Sequence, residues 1–270
     1  MLGRFDGRTK KGRVVIHDSA IIDPSAQIGD GCEIGPFCVI GANVTLGAGS
    51  KLRSHVVIDG PCAIGSGNTF FQFSSIGEQP QDLKYNGEPT RLEIGDNNVF
   101  REYVTLHRGT GEGGGLTKIG SNNLLMAYTH VAHDCVLGDG IIMSNAASIA
   151  GHVVIGDQVI LGGFTCVHQF TQIGAHSFSG LGTVINRDVP PFTSIAGNHA
   201  RAIGINKKGL QRRGFSDESI AALHKSFRIL IKSRRPRQES LDMVAPLREQ
   251  FSEVEEFVSF ILNSERSVVR

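Results

Sequence analysis

The chain has 270 residues, a formal net charge of +1 and 40% hydrophobic residues. That length supports a sizeable core in one long or two unequal domains, and the near-neutral charge argues against a nucleic-acid binder. No uninterrupted apolar run is long enough for a transmembrane segment, and the N-terminal MLGRFDGRTKKGR lacks the apolar stretch of a secretory signal.

Residues 1–13 read as a short N-terminal arm. From Ile16 to Ile76 an aliphatic or large apolar residue returns at every sixth position: Ile16, Ile22, Ile28, Ile34, Ile40, Leu46, Leu52, Ile58, Ile64, Phe70 and Ile76. The beat resumes at Ile94, Phe100 and Leu106. It resumes again at Ile119 and runs to Ile185, with Ser179 as its one polar position. A period of six fits neither a helix nor an alternating strand and is the signature of a hexapeptide β-helix. Three hexapeptides make a coil of 18 residues, and coils stack at about 4.8 Å. Gly often follows the aliphatic, as at Gly29, Gly35, Gly41 and Gly47. This predicts glycines that ease the turns through positive φ and close backbone approach. The position two before the aliphatic is small and points inward. Cys32, Cys38, Cys62 and Cys135 occupy it as buried small hydrophobes. Five cysteines, an odd number, fit a reducing, cytoplasmic setting.

Two segments interrupt the beat. Residues 77–93 (GEQPQDLKYNGEPTRLE) preserve its phase, whereas 107–118 (HRGTGEGGGLTK) shift it by one. Loops leaving a rigid scaffold are where function concentrates. The repeat domain is expected over 14–197 and a small helical domain over 198–270. In that helical tail Ser216 is an N-cap for DESIAALHKSFRILIK, and Ser252 with Glu255 forms a capping-box pattern. Pro236 marks a linker and Pro246 a first turn or a kink. Residues 201–270 carry 14 Lys and Arg against 9 Asp and Glu, which suits an acidic partner.

Val131, Ile149 and Val167 are spaced 18 apart, which stacks them on one face of successive coils. His130, His133, His152, His168 and Gln169 then gather along one side of the prism, with Asp134 beside His133. A carboxylate can fix an imidazole's tautomer and raise its basicity, which suits a general base. The same residues could instead hold zinc, since neutral His is a common ligand.

The segments IGPFC (34–38), QDLKYNGEPTR (81–91), HRGT (107–110), HVAHDC (130–135), AGHV (150–153), VHQF (167–170), GNHA (197–200) and GLQRRGFS (209–216) closely resemble the acyl-carrier-protein-dependent UDP-N-acetylglucosamine O-acyltransferases. The resemblance runs from about residue 16 to the C-terminus. It implies a left-handed parallel β-helix with a C-terminal helical domain, and a homotrimer with active sites between subunits. It also implies transfer of an (R)-3-hydroxyacyl group from acyl carrier protein to the 3-hydroxyl of UDP-N-acetylglucosamine, the first step of lipid A biosynthesis. By resemblance His133 is the general base, Asp134 its orienting partner and the Gly151 N–H the oxyanion donor. Asp82, Lys84, His130, His152, Gln169, Asn206, Arg212 and Arg213 correspond to substrate-binding positions, and His168, Leu181 and His199 to the acyl-chain groove. No cofactor and no metal are implied. Lys208 stands where the family often has an acidic residue, so that contact is not carried over. Leu181 stands where some members have Gly, which implies a shorter acyl chain. A related N-acyltransferase, a coenzyme A-dependent enzyme, a zinc enzyme of the carbonic anhydrase type and a purely structural β-helix are the competing readings.

Overall fold

The computed structural model describes residues 12–270. The N-terminal arm, expected over 1–13, lies almost wholly outside the described residues. Short strands, mostly of two residues, stack into three sheets of 11, 9 and 8 strands, parallel except at the last pair. Together they form a left-handed parallel β-helix of triangular section. The register follows the six-residue beat: Val131 pairs with Ile149 and Ile149 with Val167 in the second sheet. In the first sheet Phe70 pairs with Leu52 below and Phe100 above. The large aliphatics fill the interior, and Phe70, Phe100, Ile76 and Leu106 are fully buried. Ser179, the polar exception, is also buried. Its hydroxyl pairs with Thr165 Oγ1 at 2.8 Å and accepts from the Gly162 N–H at 3.0 Å, so this hydroxyl is not stranded in the core.

The glycines following the aliphatics correct half of the expectation. Gly29, Gly35, Gly41 and Gly47 do not have positive φ. They are small because the next coil presses on them: a Cβ on Gly47 would lie 2.4 Å from the Gly65 carbonyl carbon. Positive φ falls instead three residues after the aliphatic, mostly on large residues: Phe37, His55, Phe73, Tyr103, Tyr128, Asp134, His152 and Phe170 have φ between 59° and 64°. Each such residue costs about 1–2 kcal/mol in backbone strain. Stacking with the equivalent residue of neighbouring coils offsets part of that, with Tyr103 and Tyr128 rings 4.8 Å apart and Phe73 5.1 Å from Tyr103.

Both interruptions leave from one corner. The third sheet takes 30 residues to pass from Ile64 to Ile94, and the second takes 25 from Leu106 to Val131, where an uninterrupted coil takes 18. The surplus in each case lies between a strand of the second sheet and the following strand of the third. The two excursions therefore emerge on adjacent coils and touch, with Lys84 Nζ 3.1 Å from Glu112 and Arg108 Nη2 3.4 Å from the Tyr85 hydroxyl.

The first sheet ends in an antiparallel pair, Thr193–Ala196 with Arg201–Ile205. Four helices follow: α1 (Lys207–Arg212), α2 (Asp217–Phe227, running on through a π turn to Lys232), α3 (Arg237–Gln250) and α4 (Ser252–Asn263). Ser216 caps α2 by accepting from the Ser219 N–H. The expected capping box at Ser252 does not form. Phe251 is the N-cap of α4 and no side chain caps it. Glu255 instead takes a two-pronged bond from Arg248, at 2.7 and 3.0 Å, which holds its carboxyl well below the usual range. Pro236 precedes α3 and Pro246 lies within it.

The two kinds of glycine make separate predictions. Gly49 has φ +69° and open space around a would-be Cβ, whereas Gly47 faces backbone. Gly49→Ala should cost about 1–2 kcal/mol through strain alone. Gly47→Ala should cost about 3 kcal/mol or more, because the next coil must move. Thermal unfolding of both variants checks this, and equal losses would reject close approach as the constraint.

Candidate active site

His133 and Asp134 form the turn from the second sheet to the third, in the coil above the two excursions. Asp134 is the positive-φ residue of that turn and is buried. His133 Nδ1 lies 2.8 Å from Asp134 Oδ2. An ionised carboxylate only accepts, so Nδ1 carries the proton and Nε2 keeps a lone pair. Asp134 Oδ1 accepts from the Thr110 N–H at 2.9 Å, and Oδ2 accepts from Thr110 Oγ1 at 2.6 Å. The Asp134 N–H donates to Thr117 Oγ1 at 2.8 Å.

One coil above, residue 151 lies over 133 and residue 152 over 134, because the register is 18. A Cβ on Gly151 would lie 2.5 Å from Cε1 and 2.8 Å from Nε2 of His133, so only Gly lets the imidazole lie there. Among the described residues the Gly151 N–H has no acceptor. His152 meets His133 edge-on at 5.2 Å and stacks on Phe170 at 4.5 Å, and its Nε2 is 3.7 Å from Asp134 Oδ2. A cleft of about 410 Å³ opens beside it, lined by His152, Val154, Phe170, Gln172, Asp188 and Arg266 among others.

His130 projects from the second sheet, with Nδ1 2.7 Å from Thr105 Oγ1 and its ring edge-on to buried His107 at 4.9 Å. Burial, with smaller effects from His107 and His133, pushes its pKa down to about 4. Burial likewise lowers His107, whose Nδ1 has no hydrogen-bond partner.

The structure distributes the remaining sequence candidates widely. His168 and Gln169 are exposed on the same corner two coils above the dyad, with His168 Nδ1 3.4 Å from Arg266 Nη2. Asp82 and Lys84 sit on the first excursion, where Asp82 Oδ1 accepts from the Lys84 N–H at 2.9 Å and Lys84 Nζ pairs with Glu112 rather than with a group beside His133. Asn206 and Arg213 anchor to a different corner, between the third and first sheets. Asn206 caps α1 and donates to the His176 carbonyl at 2.9 Å, and Arg213 Nε and Nη2 reach Gln158 at 3.0 Å. Arg212 and Lys208 are exposed on α1. Leu181 is on the third corner, between the first and second sheets, and is 78% exposed. His199 lies on the turn that pairs with Val184 close by. No single edge of one prism holds all of these groups.

Sequence reasoning missed Thr110, His107, Phe170 and Arg266 as parts of the site. Phe170 was reachable, since it falls 18 residues after His152. Thr110 lies in an irregular loop and Arg266 comes from the far end of the chain, so neither carries a periodic signal.

The C-terminal region, residues 188–269, matches the family model described as UDP-N-acetylglucosamine O-acyltransferase, domain 2, and residues 13–48 match the bacterial transferase hexapeptide model. An acyl-[acyl-carrier-protein]–UDP-N-acetylglucosamine O-acyltransferase from Alkalilimnicola ehrlichii is 52% identical over 198 residues, 73% of this chain and 77% of that one. The solved structure of LpxA from Acinetobacter baumannii superposes with a TM-score of 0.92 at 47% identity, covering 95% of this chain and 100% of that one. An Arabidopsis UDP-N-acetylglucosamine acyltransferase gives a TM-score of 0.82 at 32% identity, with 95% of this chain and 100% of that one covered. Sequence and fold therefore agree, and the chain belongs to the UDP-N-acetylglucosamine O-acyltransferase family.

Proposed function

We propose that this chain transfers an (R)-3-hydroxyacyl group from acyl carrier protein to the glucosamine 3-hydroxyl of UDP-N-acetylglucosamine, opening lipid A biosynthesis, with His133 as general base. The observation that carries the mechanism is the His133–Asp134 pair, which leaves Nε2 free beneath Gly151. Nε2 takes the proton of the sugar hydroxyl as its oxygen attacks the thioester carbonyl. The resulting oxyanion accepts from the Gly151 N–H. Collapse breaks the carbon–sulfur bond, and the imidazolium returns its proton to the departing thiolate. A positioned base of this kind contributes on the order of 10²–10⁴ in rate. No cofactor takes part in these steps.

The chain works as a homotrimer in this reading, with sites between subunits. Support comes from the separation of the groups: the dyad, the Asn206–Arg213 stretch and Leu181 occupy three different corners. Adjacent copies would bring one corner of each against another. Asp82, Lys84, His130, His152 and Gln169 would hold the sugar, Asn206, Arg212 and Arg213 the nucleotide, and His168, Leu181 and His199 the acyl chain. Arg suits the diphosphate because its planar donors match phosphate oxygens. Lys207, Lys208, Arg228, Arg234 and Arg237 remain exposed on the helical domain and suit an acidic carrier protein. The location that fits these substrates is the cytoplasm. Among the described residues no helix is long and apolar enough to cross a membrane, and all five cysteines are free.

One observation favours a second reading. Donor atoms of His133, Asp134 and His152 lie within 4.8 Å of one another, close enough to share a metal ion. Zinc there would have to draw Asp134 Oδ2 away from Thr110 and His133. Metal analysis of the purified protein separates the readings. Stoichiometric zinc with hydration activity supports the carbonic anhydrase type, and acyl transfer unaffected by chelation supports ours.

Three outcomes test the proposal. His133→Ala should lose about 10²–10⁴ in kcat while still binding UDP-N-acetylglucosamine, and substantial residual turnover would reject His133 as the base. With Leu181 shortening the groove, the enzyme should favour a shorter acyl chain than relatives with Gly. Assays across carrier-bound chain lengths should show Leu181→Gly shifting the preference upward. A preference for the longest chain, unchanged in that variant, would contradict it. His130 supplies the third outcome. Between pH 6.5 and about 4 the unfolded chain binds a proton at this position and the folded chain does not, so stability falls as pH falls across that window. His130→Asn should flatten the slope of Tm against pH there, whereas identical slopes would reject a neutral, half-buried His130.

A further inference from the structure

The glycine-rich second excursion, which sequence periodicity leaves without a role, closes over the carboxylate of Asp134. A Cβ on Gly109 would lie 2.8 Å from Oδ1, and one on Gly113 would lie 2.1 Å from Cγ and 2.2 Å from Oδ2. The loop backbone thus lies flat against the carboxylate, and residues 109 and 113 have no room for side chains. Thr110 is the hub of this loop and is buried. Its carbonyl accepts from the N–H groups of Gly113 and Gly115, at 3.2 and 2.8 Å. Its hydroxyl accepts from the Gly113 N–H at 3.1 Å. With that acceptor role filled, the single hydroxyl proton is directed at Asp134 Oδ2.

We propose that Thr110 is a positioning residue of the transfer reaction, acting through Asp134 to keep its carboxylate turned toward His133. The proposal rests on the reading of His133 as the base. Two bonds from Thr110, one to each oxygen, fix the rotation of the carboxylate. That rotation matters because a competitor is close: His152 Nε2 is 3.7 Å from the same Oδ2 that serves His133. A carboxylate released from the hydroxyl can turn toward His152. His133 Nδ1 then loses its acceptor, the imidazole is free to take the other tautomer, and Nε2 is no longer held as the basic nitrogen. The loop thereby acts on the chemical step without touching the sugar or the acyl chain.

The test is steady-state kinetics on the full chain with Thr110→Val, Thr110→Ser, Asp134→Asn and the double variant Thr110→Val/Asp134→Asn. Removing the hydroxyl while keeping the shape should lower kcat about tenfold to a hundredfold. KM for UDP-N-acetylglucosamine and Tm should stay close to the parent values, which a merely structural loop would not allow. Thr110→Ser restores the donor and should recover kcat to within about threefold. The double variant should be no slower than Asp134→Asn, because the two residues act in one chain of contacts. Should Thr110→Val fail to fold, Thr110→Ala is judged by the same criteria. A kcat for the hydroxyl-free variant within about twofold of the parent, or a loss that adds in full to that of Asp134→Asn, overturns the proposal. Unimpaired turnover by Asp134→Asn would instead overturn the base reading beneath it. Impaired Asp134→Asn beside unimpaired Thr110→Val leaves that reading standing and removes Thr110 alone.

Discussion

The parallel hydrogen-bond register between coils governs everything else in this molecule. A residue sits over the one 18 positions earlier wherever the coil is uninterrupted, because each short strand donates to and accepts from its neighbours along the axis. The tolerance is small. Gly47 and Gly65, and Gly29 and Gly47, approach so closely that a methyl group would overlap backbone atoms. A stack this tight cannot slip by one residue without turning its buried aliphatics outward. Its rigidity is what allows the corners to carry residues in unfavourable backbone conformations.

The chemistry uses that rigidity. Asp134 and His152 both occupy left-handed corner positions that would be unfavourable in an isolated turn. The fold over-determines them, and the same register sets Gly151 against the imidazole and His152 against the carboxylate. Both excursions leave from the corner that bears the dyad, on the coils directly below it. The second excursion then packs its backbone on Asp134 and replaces water as its hydrogen-bonding environment. The corner thus combines a periodic part, which supplies the imidazole and the open N–H, with an aperiodic part, which orients the carboxylate.

That division also explains what could be read from the sequence. Val131, Ile149 and Val167 announced the stacking because their spacing is a covalent count, and a parallel register converts that count into position. Ser216 announced the start of α2 because a cap is a local interaction. Ser252 and Glu255 misled because a capping box competes with any stronger partner, and Arg248 is one. The glycines after the aliphatics were recognisable as necessary, yet the cause was divided wrongly between turn geometry and close approach. Composition does not distinguish a missing Cβ required by φ from one required by a neighbour. Thr110 and Arg266 were silent because their contacts depend on how an irregular loop or a distant tail folds back, which no period encodes.

The central claim is that Asp134, held by the loop beneath it, keeps the His133 proton on Nδ1 and leaves Nε2 basic toward the substrate. Nitrogen-15 NMR of histidine-labelled protein, with His133 assigned by its loss in a substituted chain, reads that tautomer directly. The account predicts that the neutral imidazole of His133 carries its proton on Nδ1, coupled to Asp134, and is bare at Nε2. A proton resident on Nε2 would contradict it.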